Sequence, residues 1–177
     1  VLDKLLESVI IQDGVTLDDL LLGDKNAIMI ATRILGYGKD YTVDITDPNS
    51  GEKQTETFDL TKLEDKVLDS KLYKKGENSF EFTLPASKTQ ITFKLLTHKD
   101  EKEIDVELKA LRKFTKQSGI TNEVTTRLKK AITSVDGDQP PKRINEFVDT
   151  ELLSRDSLAL REYLREITPD IDLTFTF

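Results

Sequence analysis

The chain has 177 residues, 37% of them hydrophobic and 33% charged, and its 26 basic and 33 acidic residues give a formal net charge of -7. It contains no cysteine, which excludes disulfides, thiolate zinc sites and a cysteine nucleophile within these residues. The acidic excess disfavours a surface that neutralises many phosphates, and no apolar run approaches the roughly 20 residues of a membrane-spanning helix.

Residues 1–60 are expected to form two helices and a hairpin. The first helix is predicted from Leu2 to Ile11. The second follows Asp24, a residue type that caps helix N-termini, and its apolar stripe consists of Ile28, Ala31, Ile34 and Leu35. Gly36 and Gly38 are expected to end this helix. The GYG sequence here lacks the strand, glycine turn and helix order of a dinucleotide fingerprint, so it indicates a helix C-terminus.

The stretch from Tyr41 to Leu60 predicts the first β-hairpin, with apolar residues on one face of each strand: Tyr41, Val43 and Ile45, then Phe58 and Leu60. Its tip, DPNSG, stands where a zinc knuckle would carry C-P-x-C-G. Proline presets φ, asparagine and serine bond the backbone locally, and glycine permits positive φ. We therefore expect a metal-free structural or contact tip made of Asp47, Pro48, Asn49, Ser50 and Gly51.

Residues 61–96 are predicted to form a linker and a second hairpin. The polar linker runs from Thr61 to Asn78. Alternating apolar residues then mark two strands, and PASKT connects them: Phe80, Phe82 and Leu84 in one strand, Ile91, Phe93 and Leu95 in the other. Both hairpins need a partner surface to bury their apolar faces.

Residues 97–177 are expected to be mainly helical. Thr97 and Asp100 resemble a capping box for a helix that Gly119 ends, and Thr121 is predicted to cap the next helix. The segment DGDQPP then predicts a break, and Pro169 stops the last of two further helices. The apolar positions of the four helices are Ile104, Leu108, Leu111 and Phe114; Val124, Leu128, Ala131 and Ile132; Ile144, Phe147, Val148 and Leu152; and Leu160, Tyr163, Leu164 and Ile167.

The chain closes on DIDLTFTF, whose alternation predicts a strand with an apolar face formed by Ile171, Leu173, Phe175 and Phe177. An apolar edge strand at a terminus invites pairing with other chains. Since the chain also starts at Val1 without a methionine, we expect an ordered fragment that continues beyond Phe177.

The predicted fold class is α+β: a helical bundle with two β-hairpins, the first resembling a zinc-ribbon knuckle without its cysteines. Three segments are expected along the chain. Residues 1–60 hold the N-terminal helices and the knuckle-like hairpin, residues 61–96 the linker and second hairpin, and residues 97–177 the helical region with its closing strand.

Few residues suggest catalysis. His98 is the single histidine, and its place at a predicted helix start favours an ordinary structural role. The nearby carboxylates suit the helix macrodipole: Glu101, Glu103 and Asp105. Asp170 and Asp172 could hold a cation, but strand alternation explains them more simply. We therefore predict no enzymatic activity, no catalytic residues and no metal site within these residues.

Signals for nucleic-acid binding are equally weak. Basic residues occur as short, isolated pairs, which are more often solvated than bound to phosphate: Lys74 with Lys75, Lys129 with Lys130, and Lys142 with Arg143. Base stacking on Phe80, Phe82 and Phe93 is conceivable on a sheet face. Core packing is favoured instead, because the chain is acidic and no arginines flank these rings.

Three blocks of the sequence resemble the T-even-type bacteriophage baseplate protein family. The first, RILGYGKDYTVDITDPNSGEKQTETFDLTKLEDK, is similar to the family's helix, YG step, knuckle hairpin and DL-x-x-L pattern. The second, FEFTLPASKTQITFKLLTHKDEKEID, resembles its hairpin and LT-x-x-DE-x-x-I helix start. The third, LREYLREITPDIDLTFTF, resembles its closing helix and strand. The blocks extend from about Arg33 to Phe177. Asp47 and Ser50 replace the cysteines of many relatives, so a zinc site is not carried over; zinc is expected only if cysteines follow Phe177.

This resemblance implies a structural component or assembly factor of a contractile-tail baseplate, in its hub region. Such a protein is assembled in the host cytoplasm, resides in the virion and acts by binding other tail or baseplate proteins. Neither nucleic acid nor membrane is expected as a partner. The expected interaction surface combines the hairpin tip, residues 47–51, with the apolar face of the closing strand.

One alternative stays open. The chain could be an adaptor that binds nucleic acid or a regulatory protein through its degenerate zinc-ribbon knuckle. Binding to phosphate must weaken with salt, so the salt dependence of DNA or RNA binding separates the nucleic-acid form of this alternative from the baseplate interpretation.

Overall fold

The structure of the chain is a computed structural model that describes residues 2–47, 51–114 and 119–174. These ranges contain six α-helices: α1 (Leu2–Val9), α2 (Leu22–Tyr37), α3 (His98–Phe114), α4 (Gly119–Ala131), α5 (Pro141–Glu146) and α6 (Ser154–Ile167). They also contain seven strands: β1 (Asp40–Thr46), β2 (Lys53–Asp59), β3 (Glu64–Asp65), β4 (Phe80–Thr83), β5 (Gln90–Phe93), β6 (Ile132–Val135) and β7 (Ile171–Asp172). The predicted α+β class with two β-hairpins is confirmed.

Contacts divide the chain into two compact units that alternate along the sequence. Unit 1 comprises Val1–Thr16, Leu22–Val67 and Pro169–Phe177, and unit 2 comprises Leu17–Leu21 and Leu68–Thr168. Each unit is therefore assembled from segments that are distant in the chain, whereas the three predicted segments are continuous stretches.

Unit 1 contains two antiparallel ribbons and two helices. In the first ribbon β1 pairs with β2, from Asp40 opposite Asp59 to Thr46 opposite Lys53. In the second, β3 pairs with β7, so that Glu64 lies opposite Asp172. Helix α2 fits closely against the segment before β7, because a Cβ atom on Gly23 would lie 2.1 Å from the carbonyl oxygen of Pro169. A glycine is required at this contact.

Unit 2 is built on a three-stranded antiparallel sheet in the order β4-β5-β6. Its buried face forms one apolar cluster with the helices: Phe80, Leu84, Ile91, Phe93, Leu95, Leu128, Ile132, Val135, Ile144, Phe147, Leu160 and Ile167. The ring of Phe93 stacks on Phe80 at 5.6 Å and meets the edge of Tyr163 at 5.9 Å. The predicted second hairpin and the packing of its aromatic residues in a core are confirmed.

Several predicted helix boundaries are wrong. Helix α2 begins at Leu22, so Asp24 lies inside its first turn and is not the N-cap. Gly36 lies within the same helix, whereas Gly38 follows it with φ of +85° and donates its N–H to the carbonyl of Ile34 at 2.9 Å. Of the two glycines expected to end α2, only Gly38 has the left-handed conformation that is typical of helix C-termini.

The region after α3 also departs from the prediction. Gly119 is the first residue of α4 rather than the stop of α3, and Thr121 lies inside α4. Ile132 belongs to β6, which the sequence did not predict. Leu60 begins a 3-10 turn, Leu60–Lys62, whose N-cap is Asp59. The closing strand spans Ile171–Asp172 only, within the described residues.

Candidate interaction surface

Buried apolar side chains are distributed unequally between the units. Among the described residues of unit 1, Leu6 and Leu60 are the only buried hydrophobic ones, whereas unit 2 holds all the others. Unit 1 instead exposes ten large hydrophobic residues: Leu2, Leu5, Val9, Ile11, Leu22, Leu35, Tyr37, Tyr41, Val67 and Leu173. Among the residues of unit 2 whose exposure is described, four are exposed: Leu72, Val106, Leu153 and Leu158. Exposed apolar residues mark a binding surface where they are contiguous.

Helix α1 shows the same imbalance within one element. Leu2, Leu6 and Val9 recur at intervals of four and three residues, with Leu5 beside them, so they form one apolar stripe. Leu6 is fully buried, but the other three side chains are 39–49% exposed. The stripe therefore has apolar area left for a further contact.

The hydrogen-bond pattern of the first hairpin defines which backbone groups point away from it. The N–H of Asp47 donates to the carbonyl of Glu52, and that of Leu60 to the carbonyl of Lys39, each at 2.9 Å. In this register the odd-numbered residues of β1 bond β2, while alternate residues direct their backbone groups outward. On the outer edges these residues are Asp40, Thr42, Asp44 and Thr46 in β1, and Lys53, Thr55, Thr57 and Asp59 in β2.

The outward residues also place their side chains on one polar face of the hairpin. The hydroxyl groups of Thr42 and Thr57, directly opposite each other, are hydrogen-bonded at 2.9 Å. Thr55 donates its hydroxyl to the carboxylate of Asp44 at 2.8 Å. Cross-strand pairs of this kind fix the strand register. The opposite face carries the predicted apolar side chains, of which Val43 and Ile45 are half-buried.

A groove of about 410 Å³ lies along the outer edge of β2. Its lining comprises eight residues: Thr57, Phe58, Asp59, Lys62, Leu63, Glu64, Asp172 and Thr174. Phe58 and Leu63 are half-buried and contribute apolar surface, whereas the other six are polar. The groove thus combines an outward-facing strand edge, a small apolar area and the β3–β7 ribbon.

Two groove carboxylates are held in the ionised form. Asp59 accepts hydrogen bonds from the Lys39 ammonium at 2.7 Å and the Thr61 N–H at 3.0 Å, which, together with the Thr61 hydroxyl, hold its pKa well below its usual range. Asp172 accepts from the hydroxyl and N–H of Thr174, and these bonds lower the pKa of its carboxyl. With Glu64 opposite Asp172, the groove is acidic at neutral pH.

The described residues of the expected interaction surface belong to unit 1. Asp47 and Gly51 close the β1–β2 turn, where the Gly51 N–H donates to the Asp47 carbonyl at 2.8 Å and Gly51 has φ of +73°. Ile171 is half-buried, and Leu173 is 51% exposed. Pro48, Asn49, Ser50, Phe175 and Phe177 lie outside the described residues.

The sequence did not reveal the groove, because its walls come from residues that are distant in the chain. From the sequence, Asp172 is only one of two possible cation ligands with Asp170, and Glu64 belongs to a polar linker. Asp170 instead accepts a hydrogen bond from the side-chain amide of Asn26 at 2.9 Å. Only the alternation of DIDLTFTF pointed to this region, by predicting that polar and apolar residues occupy opposite faces.

The other candidate residues for catalysis or metal binding take part in contacts that stabilise the fold. His98 is buried at the first position of α3, where its backbone N–H donates to the carbonyl of Leu20 at 2.8 Å. Glu101 and Glu103 form ion pairs with Arg127 and Lys130 of α4. In the ranges that the structure describes, no group of three or more His, Cys, Asp or Glu residues could hold a metal ion, and no helix is long and apolar enough to cross a membrane.

Most of the basic pairs are engaged with carboxylates. Lys129 lies 2.7 Å from Asp149, and Lys130 pairs with Glu103. The Arg143 guanidinium makes two contacts with the Glu151 carboxylate, one of them at 3.0 Å. Since these carboxylates already neutralise the cations, phosphate binding at these positions would have to replace existing ion pairs.

Comparisons with models of protein families, with curated proteins and with solved structures gave no match.

Proposed function

We propose that this chain is a non-enzymatic structural or assembly protein of a contractile-tail baseplate, in the hub region, and that it acts by binding other tail proteins. The observation that carries the binding role is the exposure of apolar side chains in unit 1, where ten of the described large hydrophobic residues are exposed to solvent. The resemblance of the three sequence blocks to baseplate proteins supports the choice of partner class.

The position of the exposed residues supports a broad contact. They come from α1 and the residues just after it, from both ends of α2, from the first hairpin, and from the segments after β3 and β7. Ile11 is 93% exposed and Leu35 is 88% exposed, although side chains of this size normally contribute to a core. Burial of each in an interface would contribute about 1.5–3 kcal/mol of hydrophobic free energy.

The test replaces single exposed residues by aspartate and measures incorporation into tails. Ile11→Asp and Leu35→Asp are expected to leave the fold intact, because both side chains lie almost entirely in solvent. Val106→Asp in unit 2, where the side chain is 68% exposed, is the matched control. Each variant is supplied in cells that produce the phage without the native gene.

Tail assembly is followed by electron microscopy, and the protein content of tails and assembly intermediates by mass spectrometry. The unit 1 variants should reduce tail assembly or incorporation by about tenfold or more, with Val106→Asp close to the native protein. Normal tails in cells that lack the protein, together with its absence from every assembly intermediate, would overturn the proposal.

A further inference from the structure

We infer that the groove beside β2 binds an extended segment of a partner protein, which adds a strand to the outer edge of β2 and alternates Lys or Arg with apolar side chains. This inference names the kind of partner segment for the proposed binding function and therefore rests on it. The juxtaposition that carries it is an outward-facing strand edge at Thr57–Asp59, bordered by a groove with apolar and acidic walls.

The backbone of β2 supplies the hydrogen bonds for an added strand. Thr57 directs its N–H and carbonyl groups, and Asp59 its N–H group, away from β1, whereas the Asp59 carbonyl caps the 3-10 turn Leu60–Lys62. Among the described strands none pairs with this edge. Extended peptides bind such edges through main-chain hydrogen bonds, and flanking pockets select their side chains. A groove of about 410 Å³ at the same edge leaves space for a few residues of an added chain.

The lining residues select the chemistry of the occupant. Side chains of an added strand would alternate between the two faces of the hairpin. One face offers the apolar surface of Phe58 and the other carries Thr57 and Asp59. Glu64 and Asp172 add two carboxylates against the single ammonium of Lys62, and the Asp59 charge is already matched by Lys39. This excess of negative charge favours a basic segment over an acidic one.

The outer edge of β1 is a weaker candidate for the same role. Its end is already occupied, because the Arg33 guanidinium donates to the outward carbonyl of Asp40 at 3.3 Å. The groove lies at β2 and is not lined by any residue of β1. The two edges therefore provide an internal comparison for an experiment.

The test measures binding of fluorescent eight-residue peptides to the full chain by anisotropy. The three peptides alternate valine with lysine, glutamate or threonine. The lysine peptide is expected to bind at least tenfold more tightly than the glutamate peptide, and its affinity should fall as salt is raised. A fourth peptide has the lysine sequence with N-methyl groups on alternate amides. When the methylated amides are those that face β2, its affinity should be at least tenfold lower.

Two proline variants test the strand edge itself. Thr57→Pro removes an outward N–H at the groove but no hydrogen bond of the β1–β2 ladder, a location at which strands tolerate proline. Thr42→Pro does the same on the β1 edge, and both variants delete the same hydroxyl–hydroxyl bond. Thr57→Pro is expected to lower the affinity for the lysine peptide by at least tenfold, and Thr42→Pro by less than twofold. Circular dichroism and thermal unfolding confirm that both variants are folded.

A charge-matched pair tests the acidic wall. The double variant Glu64→Gln, Asp172→Asn should bind the lysine peptide about fivefold more weakly, and its binding should depend less on salt. The control double variant Glu7→Gln, Glu81→Gln changes the net charge by the same amount and should bind the peptide as the native chain does. Any of three results would overturn the inference: the lysine peptide does not bind, the glutamate peptide binds equally well, or Thr57→Pro and Thr42→Pro lower the affinity for the lysine peptide equally.

These measurements involve no phage component, so they separate the inference from the proposed function. A chain that enters tails but binds no peptide overturns the groove inference alone. A chain that binds the lysine peptide but never associates with tails or their intermediates overturns the baseplate proposal alone.

Discussion

Thr97 and Asp100 each hydrogen-bond the backbone of the other at the start of α3. The N–H of Thr97 donates to the Asp100 carboxylate at 3.1 Å, and the N–H of Asp100 donates to the Thr97 hydroxyl at 3.4 Å. This is a capping box with aspartate in the usual glutamate position. The same carboxylate binds the Lys94 ammonium at 2.7 and 2.8 Å, which ties the end of the second hairpin to the helix.

Replacing Asp100 by alanine is therefore expected to lower the free energy of unfolding by about 2 kcal/mol, because both the cap and the ion pair are lost. Urea titration followed by circular dichroism measures the change. Asp105→Ala on the same helix, which removes an exposed ion pair with Lys109, should cost less than about 0.5 kcal/mol. Similar losses in the two variants would contradict the structural role of Asp100.

Substitution of Asp156 is expected to destabilise the fold more than substitution of Asp100. Its fully buried carboxylate, in the first turn of α6, accepts the N–H of Ala86 at 2.7 Å and that of Ser87 at 3.0 Å. Asp156→Asn presents an amide N–H₂ to one of these donors, so we expect a loss of about 2–3 kcal/mol in the free energy of unfolding. Glu162→Gln, an exposed change on the same helix, is the control and should be nearly neutral.

The pH dependence of stability provides a separate check on Asp156. Burial of the carboxyl raises its pKa, but the hydrogen bonds from Ala86 and Ser87 outweigh burial, so the pKa lies below the ordinary value of 3.8. A depressed folded-state pKa stabilises the fold above the unfolded pKa, and this contribution is lost as the pH falls through the folded pKa. The stability difference between the native chain and Asp156→Asn should therefore shrink from pH 6 to pH 3, and a constant difference would contradict it.

Two glycines of α2 are expected to respond oppositely to alanine. At Gly23 the new Cβ would lie 2.1 Å from the Pro169 carbonyl oxygen and 2.8 Å from the Cα of Asp170, so backbone must move. Gly23→Ala should destabilise unit 1 by about 2–4 kcal/mol, in the range of severe steric changes. Gly36→Ala meets no atom within 4 Å in the same helix and should stabilise it by up to about 1 kcal/mol.

Thermal unfolding monitored by NMR of amides in each unit distinguishes these outcomes. An unchanged melting temperature for Gly23→Ala would show that α2 does not contact the Pro169 segment as described. Destabilisation by Gly36→Ala would contradict the open space around Gly36.

Native-state hydrogen exchange is expected to differ between the units. Amides of α1 and β1 should exchange faster than those of β5 and α6, because unit 1 buries few apolar side chains and unit 2 surrounds Phe93 and Leu160 with a continuous core. Binding of a partner should slow exchange in unit 1 preferentially. Equal protection of the hydrogen-bonded amides in the two units would contradict this view.

The second hairpin and the α3 cap were predictable because their signals are local. Alternation at Phe80, Phe82 and Leu84 and the spacing of Thr97 and Asp100 depend only on neighbouring residues, and the structure retains both. Strand β6 could not be found in this way. Ile132 continues the helical spacing of Leu128 and Ala131, and it becomes a strand residue only because β5 lies beside it.

The groove was even less predictable from the sequence, because its walls come from residues that are distant in the chain. Two-residue strands such as β3 and β7 have no recognisable pattern, and their pairing places Glu64 beside Asp172 although nothing in the local sequence links them. Asp24 illustrates the same effect at a helix start. Leu21 pairs with Thr97, so the chain is extended up to the residue where α2 begins, and the expected cap is displaced into the helix.

The pairing of Glu64 with Asp172 spans 108 residues, and this separation has a consequence during synthesis. On the ribosome, every residue of unit 2 emerges before β7 does, so its sheet and core can form while β3 still lacks its strand partner. The wall of the groove that β7 provides is therefore assembled only after all residues of unit 2 have been synthesised. A nascent chain would become competent to capture an extended partner only after its stable core had been made.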